Sequence, residues 1–292
     1  MVLIGEENYK SYGRCVSFKA NNIKLLVTID LGPRIIFYGK DNVNILFEDL
    51  QDTTNKGGEF FDTNLKGEGI WHLYGGHRLW KSPEYMDTYY PDNKKVKVEY
   101  NENEVSFISE IETTTKLQKT IKVKMEDTGA VELSQIITNK DTKETTPISA
   151  WGLTVLDKGA KATIELSNED TGFLPNRNIV FWSYADVKDE RLSLSNDKVE
   201  IEQKNIVDPI KIGLYTEKEV KVKVNNLEFK VRVDKKDGIY PDYSSNIECY
   251  TNNHIFEIET LSPLVKLAAN ESLIHKEYWT LMWGERWRKR LF

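Results

Sequence analysis

The sequence predicts an all-β protein, mostly antiparallel, with few short helices. Apolar and polar residues alternate with a period of two through much of the chain. The alternating runs are rich in Val, Ile, Phe and Thr, and turn-forming residues punctuate them. Almost no stretch sustains a 3.6-residue period. These are the marks of half-buried strands joined by tight connections.

Taken in order, the strands read as "KVKVEY", "EVSFISEI", "KTIKVKM", "AVELSQIIT", "KVEIEQ", "VKVKVNNLEFKVRV" and "HIFEIETL". Between them lie Asp127 to Gly129, Asn139 to Asp141, Lys158-Gly159, Asn225-Asn226 and Asp237-Gly238. Such residues tolerate the backbone conformations that turns demand. Helical spacing is confined to the region from Glu84 to Thr88 and to the C-terminal tail.

The chain of 292 residues is long enough for one large domain or two medium ones. Polar connections at Gln51 to Gly58 and Asp186 to Glu190 could act as linkers, but strand patterning resumes on both sides of each. No fixed-period repeat appears, so the expectation is one β-sandwich or distorted barrel over residues 1–292.

Composition narrows the function. With 39% hydrophobic and 29% charged residues the chain is that of a water-soluble globular protein. A formal charge of -6 argues against a general electrostatic grip on nucleic acid. The basic run from Arg286 to Arg290 reads as solvated surface. Cys15 and Cys249 are too few for a disulfide scaffold, and no apolar run reaches the ~20 residues of a membrane span. The expected location is the cytoplasm, with no membrane partner.

Two segments concentrate chemistry. In the extended run "HIFEIETLSP", Phe256 and Ile258 point to one side while Glu257 and Glu259 share the other, their Cα atoms ~6.5 Å apart. On a wet face they are surface charges. In a pocket, repulsion and desolvation raise one pKa and supply a general acid or base. Glu248, in the preceding "NIECY", is placed to join the same wall.

The second segment is "YGGHRLWKSPE", residues 74 to 84. Gly75 and Gly76 permit a sharp path, after which His77 offers a proton shuttle, Arg78 a fork of donors and Trp80 a stacking surface for a sugar ring. There is no G-x-S-x-G elbow, GxGxxG, P-loop or H-E-x-x-H helix. His72 and His77 alone make a poor metal pair, so neither metal nor cofactor is expected.

Several segments together resemble the galactose-mutarotase-like superfamily, the aldose 1-epimerases and their relatives. "TIDLGPRIIFYGKDNVNILFE" resembles its opening hairpin, with Gly32 and Arg34, and "YGGHRLWKSPE" resembles the signature of an uncharacterised branch. "IITNKDTKETTPISAWGLTVL", "IYPDYSSNIECY" and "FEIETLSPLVKLAANESLIHKEYWTL" are similar to its central and C-terminal strands. The matches run from about residue 28 to residue 281.

The resemblance implies a β-super-sandwich whose concave face binds a sugar. It also implies a glutamate that takes the anomeric hydroxyl proton and a histidine that protonates the ring oxygen. Glu259 matches the glutamate. The segment that delivers the acid histidine falls near Ala150 and Trp151, neither of which transfers a proton. His77 is then the substitute acid, with Arg34, Arg78, Trp80, Trp151, Asp242, Glu248 and Glu257 as sugar-binding residues. The expected function is a sugar epimerase or mutarotase. The alternatives are a non-catalytic carbohydrate-binding or sensor protein, and a glycoside hydrolase or lyase built on Glu248, Glu257 and Glu259.

Overall fold

The computed structural model describes residues 1–284, and the basic run from Arg286 to Arg290 lies outside them. Two large antiparallel sheets face each other. The first runs in the order Leu3–Asn8, Arg14–Ala20, Ile23–Thr28, Arg34–Lys40, Gly76–Ser82, Ser149–Leu156, Phe256–Leu261, Ile247–Thr251, Ile210–Leu214 and Val180–Phe181. The second centres on the long strand Ser272–Trp283, flanked by Val131–Asn139 and Leu227–Val233. Only short helical pieces interrupt the strands, among them Glu59–Asn64 and a 3-10 turn at Met86–Tyr89.

Of the turns singled out in the sequence, Asp127 to Gly129 and Asn225-Asn226 close hairpins, whereas Asn139 to Asp141, Lys158-Gly159 and Asp237-Gly238 lie on connections that pass from one sheet to the other. Asn225 and Asn226, with φ of 50° and 64°, join Val220–Val224 to Leu227–Val233. Two consecutive left-handed residues match the twist of the flanking strands, and asparagine tolerates them. The segment from Gln51 to Gly58 is no linker: Asn55–Lys56 pairs with Trp71–His72 as a small ribbon. Cys15 and Cys249 are free and buried.

Between the sheets lies the core, where Tyr38 of the first sheet meets Phe229 and Trp279 of the second. Trp279 is fully buried, and truncating such a side chain costs ~3–5 kcal/mol. Burial along the strands shows how the two sheets differ. Val131–Asn139 alternates buried and half-buried residues, so its outer face is partly wet. The central strands Gly76–Ser82, Ser149–Leu156 and Phe256–Leu261 are buried at every position. Something therefore covers the outer face of the first sheet as well, and that cover shapes the candidate site.

Candidate functional site

The outer face of the central strands is walled by aromatic side chains. Trp80 and Trp151 are register partners on neighbouring strands, with ring centroids 5.3 Å apart and nearly perpendicular planes. Trp71 and Tyr89 close over Trp80 from the adjoining ribbon and turn. The resulting cleft, about 260 Å³, is lined by these rings with Arg78, Lys211, Tyr250, Glu257, Glu259 and others. The lining sets aromatic rings beside as many charged side chains, Lys56, Arg78, Glu84, Lys211, Glu257 and Glu259.

Strand register gathers the charges. Glu248 pairs with Glu259, Tyr250 pairs with both Glu257 and Lys211, and Arg78 lies two strands from Glu259 across Leu153. The Lys211 ammonium is 2.7 Å from Oε2 of Glu259 and 2.7 Å from Oε2 of Glu248. It also sits 4.7 Å from the ring centres of both Trp151 and Trp182. Burial alone would strip its proton, but the two carboxyl groups hold its pKa well above the ordinary lysine value. The Trp151 indole donates a 2.8 Å hydrogen bond to the same Oε2 of Glu259.

Burial pushes the Glu248 carboxyl well above the carboxylate range, and the charges of Glu259 and Asp242 add to the rise. Glu257, two residues from Glu259 on one strand face, rises to about 8 through burial and the charge of Glu259. Arg78 is sandwiched between Trp71 and Trp80, 4.8 and 5.0 Å from their ring centres. Its Nη2 donates to the carbonyl of Leu73 at 2.6 Å. Burial and the neighbouring Arg34 lower its pKa to about 9.

Of the residues expected at the site, the fold brings Arg78, Trp80, Trp151, Glu257 and Glu259 to the cleft lining. Glu248 lies just behind Lys211. Arg34 is elsewhere in function: fully buried, it donates to the carbonyls of Leu73 and Gly75 and pairs with Asp92 at 2.5 Å, bracing the loop behind the cleft. Asp242 occupies the turn Pro241–Ser244 with φ of 49°, close enough to Glu248 to raise its pKa but off the lining.

His77 is the clear correction. It is adjacent in sequence to Arg78 on a strand, and neighbouring strand residues point to opposite faces. Arg78 faces the cleft, so His77 faces the second sheet. There its Nε2 donates to Oε1 of Gln135 at 3.1 Å, its Nδ1 accepts from the Thr154 hydroxyl at 2.9 Å, and its ring meets Trp279 edge to face. Burial lowers its pKa, which suits this neutral role. His77 therefore cannot act as the acid opposite Glu259.

Gly75 and Gly76 also serve a different end from the one expected. A Cβ on Gly75 would stand 2.1 Å from the Phe47 carbonyl oxygen, and one on Gly76 2.2 Å from that of Ile35. The glycines allow two strands to close upon each other.

Sequence reasoning missed Lys211, Trp182, Tyr184, Tyr89 and Trp71. Lys211 stands between Ile210 and Ile212, where alternation assigns it to an outer face and ordinarily to water. The clustered aromatics of "FWSY" at residues 181 to 184 were the available signal.

No protein-family model matches the sequence, and no curated protein matches it. Solved structures do. A galactose mutarotase-like protein from Clostridium acetobutylicum superposes with a TM-score of 0.55 at 13% identity, covering 97% of this chain and 99% of that one. The galactose 1-epimerase of Lactobacillus acidophilus gives 0.51 at 8%, covering 98% and 99%. A TPR-domain containing protein from Parabacteroides distasonis gives 0.60 at 12%, covering 92% of this chain but 47% of that one. The chain thus spans about half the length of that protein and nearly all of the other two. In its paired antiparallel sheets this chain has the galactose-mutarotase-like fold.

Proposed function

We propose that the cleft binds a monosaccharide and interconverts its anomers, with Glu259 accepting the anomeric hydroxyl proton. The observation that carries this reading is the way Glu259 is held. Both Lys211 and Trp151 bind its Oε2, while Oε1 has no hydrogen-bond partner among the described residues. One oxygen is anchored and the other is left for a substrate hydroxyl. Trp80 and Trp151 line the cleft with apolar ring surface of the kind that sugars pack against. The fold is shared with a galactose mutarotase-like protein and a galactose 1-epimerase.

The test is saturation-transfer NMR between the anomers of D-glucose, D-galactose and D-glucuronate, with wild type and Glu259→Gln. Wild type exchanges at least one of them, and the variant loses ~100-fold in rate while calorimetric affinity stays within several-fold. Equal exchange by both proteins removes Glu259 from the chemistry.

A second reading, binding without turnover, is favoured by one observation: His77 faces the inter-sheet core, away from Glu259. It predicts saturable calorimetric binding with no anomer exchange. Replacing Trp80 with Ala then weakens that binding by ~1–3 kcal/mol.

A further inference from the structure

We infer that the Glu257 carboxyl is the proton donor to the sugar ring oxygen, the role for which Ala150 and Trp151 offer no group. The inference rests on the anomer-exchange reading above and names the acid that reading lacks.

The geometry of two glutamates on one strand face sets the argument. Glu259 is 0% exposed and anchored by Lys211 and Trp151, whereas Glu257 is 9% exposed and lines the cleft. Glu257 makes no hydrogen bond or ion pair with another described residue, so its oxygens are free for a ligand. With Cα atoms ~6.5 Å apart on one strand face, the two carboxyl groups line the same cleft, within reach of adjacent oxygens of one bound sugar. A paired, fixed carboxylate and a free, neutral carboxyl are the two partners that acid–base chemistry requires.

The groups around Glu257 keep its proton in place. From its own strand Glu259 repels a second negative charge. From neighbouring strands Lys211 and Arg78 pull the other way, while Tyr250 stands opposite in register. Glu84 and Tyr89 face it from beyond the strand Gly76–Ser82, and Lys56 and His254 complete the mouth. Burial and Glu259 outweigh the cations, which is why the carboxyl titrates near 8 and not near 4.5.

The step balances. Glu259 takes the proton from the anomeric hydroxyl, C1=O forms, the C1–O5 bond breaks with its electron pair going to O5, and Glu257 gives its proton to O5. After the aldehyde rotates about C1–C2, O5 attacks the other carbonyl face. The O5 proton returns to Glu257 and Glu259 returns its proton to O1.

The test is the pH profile of anomer exchange on D-glucose, D-galactose and D-glucuronate, measured on the full chain. Wild-type kcat is flat below neutrality and falls tenfold per pH unit above about 8, as the proton leaves Glu257. Glu257→Gln lowers kcat ~100-fold with KM within ~3-fold and flattens that limb, while Glu257→Asp keeps the limb at an intermediate rate. Glu257→Asp carries the comparison if Glu257→Gln does not melt as wild type does. Exchange by Glu257→Gln within ~3-fold of wild type overturns the inference, as does loss of the alkaline limb in His254→Gln with the limb retained in Glu257→Gln. Wild type that exchanges none of the three sugars overturns the anomer-exchange reading itself, and the assignment of Glu257 with it.

Discussion

The Nζ of Lys211 lies 2.7 Å from Oε2 of Glu259, on the outer face of a strand that is otherwise apolar. The lysine supplies the only cation within bonding distance of Glu259 among the described residues, and both side chains are buried. Two consequences follow, one for stability and one for the site. Breaking a buried pair by removing one partner leaves a charge without compensation, which costs several kcal/mol. The Glu248 carboxyl left behind becomes harder to ionise.

Lys211→Met is therefore expected to lose ~3–5 kcal/mol of stability at pH 8, read by urea unfolding. Without the ammonium that opposes it, the rise in the Glu248 pKa is larger still, so Glu248 binds its proton more tightly when folded than when unfolded. Stability then falls as pH rises, so the loss is smaller at pH 5 than at pH 8. Adding Glu248→Gln to Lys211→Met recovers part of the loss. A deficit under ~1 kcal/mol at pH 8 would show that the pair is dispensable.

Gly76 makes the second prediction. Its φ is +71°, and an added Cβ would meet the Ile35 carbonyl oxygen at 2.2 Å, a backbone atom that cannot swing aside. Gly76→Ala combines left-handed strain with a backbone clash and is expected to cost ~3 kcal/mol or more. Gly159 is the control: its φ is +77°, but nothing lies within 4 Å of an added Cβ. Gly159→Ala should cost ~1 kcal/mol. Equal midpoint shifts for the two variants in urea would contradict the role assigned to the Gly76 contact.

How much of this was legible in the sequence depends on the range of the interaction. Strand patterning and hairpin residues such as Asn225-Asn226 are local, and they read correctly. Glu257 and Glu259 share a face because residues two apart on a strand must. The same rule separates His77 from Arg78 and sets the histidine off the cleft, although the two glycines before it point to an irregular path. Lys211 was not readable. A lysine alternating with isoleucines is ordinarily a solvent-facing one, and only the cover of Trp151 and Trp182 brought by distant segments makes it a buried counter-charge. The role of Arg34 is hidden for a similar reason: its partners, the carbonyls of Leu73 and Gly75, are some forty residues away and carry no sequence signal.

The inter-sheet polar network beneath the cleft gives the last prediction. Nε2 of His275 donates to the Thr260 hydroxyl, which donates to Oε1 of Glu277, and Gln135 and Trp279 each donate to the same carboxylate. His77 joins through Gln135. Although burial opposes its charge, Glu277 is held below the usual carboxylate range by the histidines and donors around it. Burial lowers the pKa of His275 to about 4 from 6.5. A lowered folded pKa means that the unfolded chain binds the proton first as pH falls. The stability this neutral histidine confers is full above pH 6.5 and declines as pH drops toward 4. At pH 5 the decline amounts to ~2 kcal/mol, from 1.5 pH units at 1.36 kcal/mol each. His275→Gln keeps a donor for Thr260 without the titration, so its unfolding free energy should fall less between pH 7 and pH 5, by about that amount. An acid slope identical to wild type would show that His275 is not buried in its neutral form.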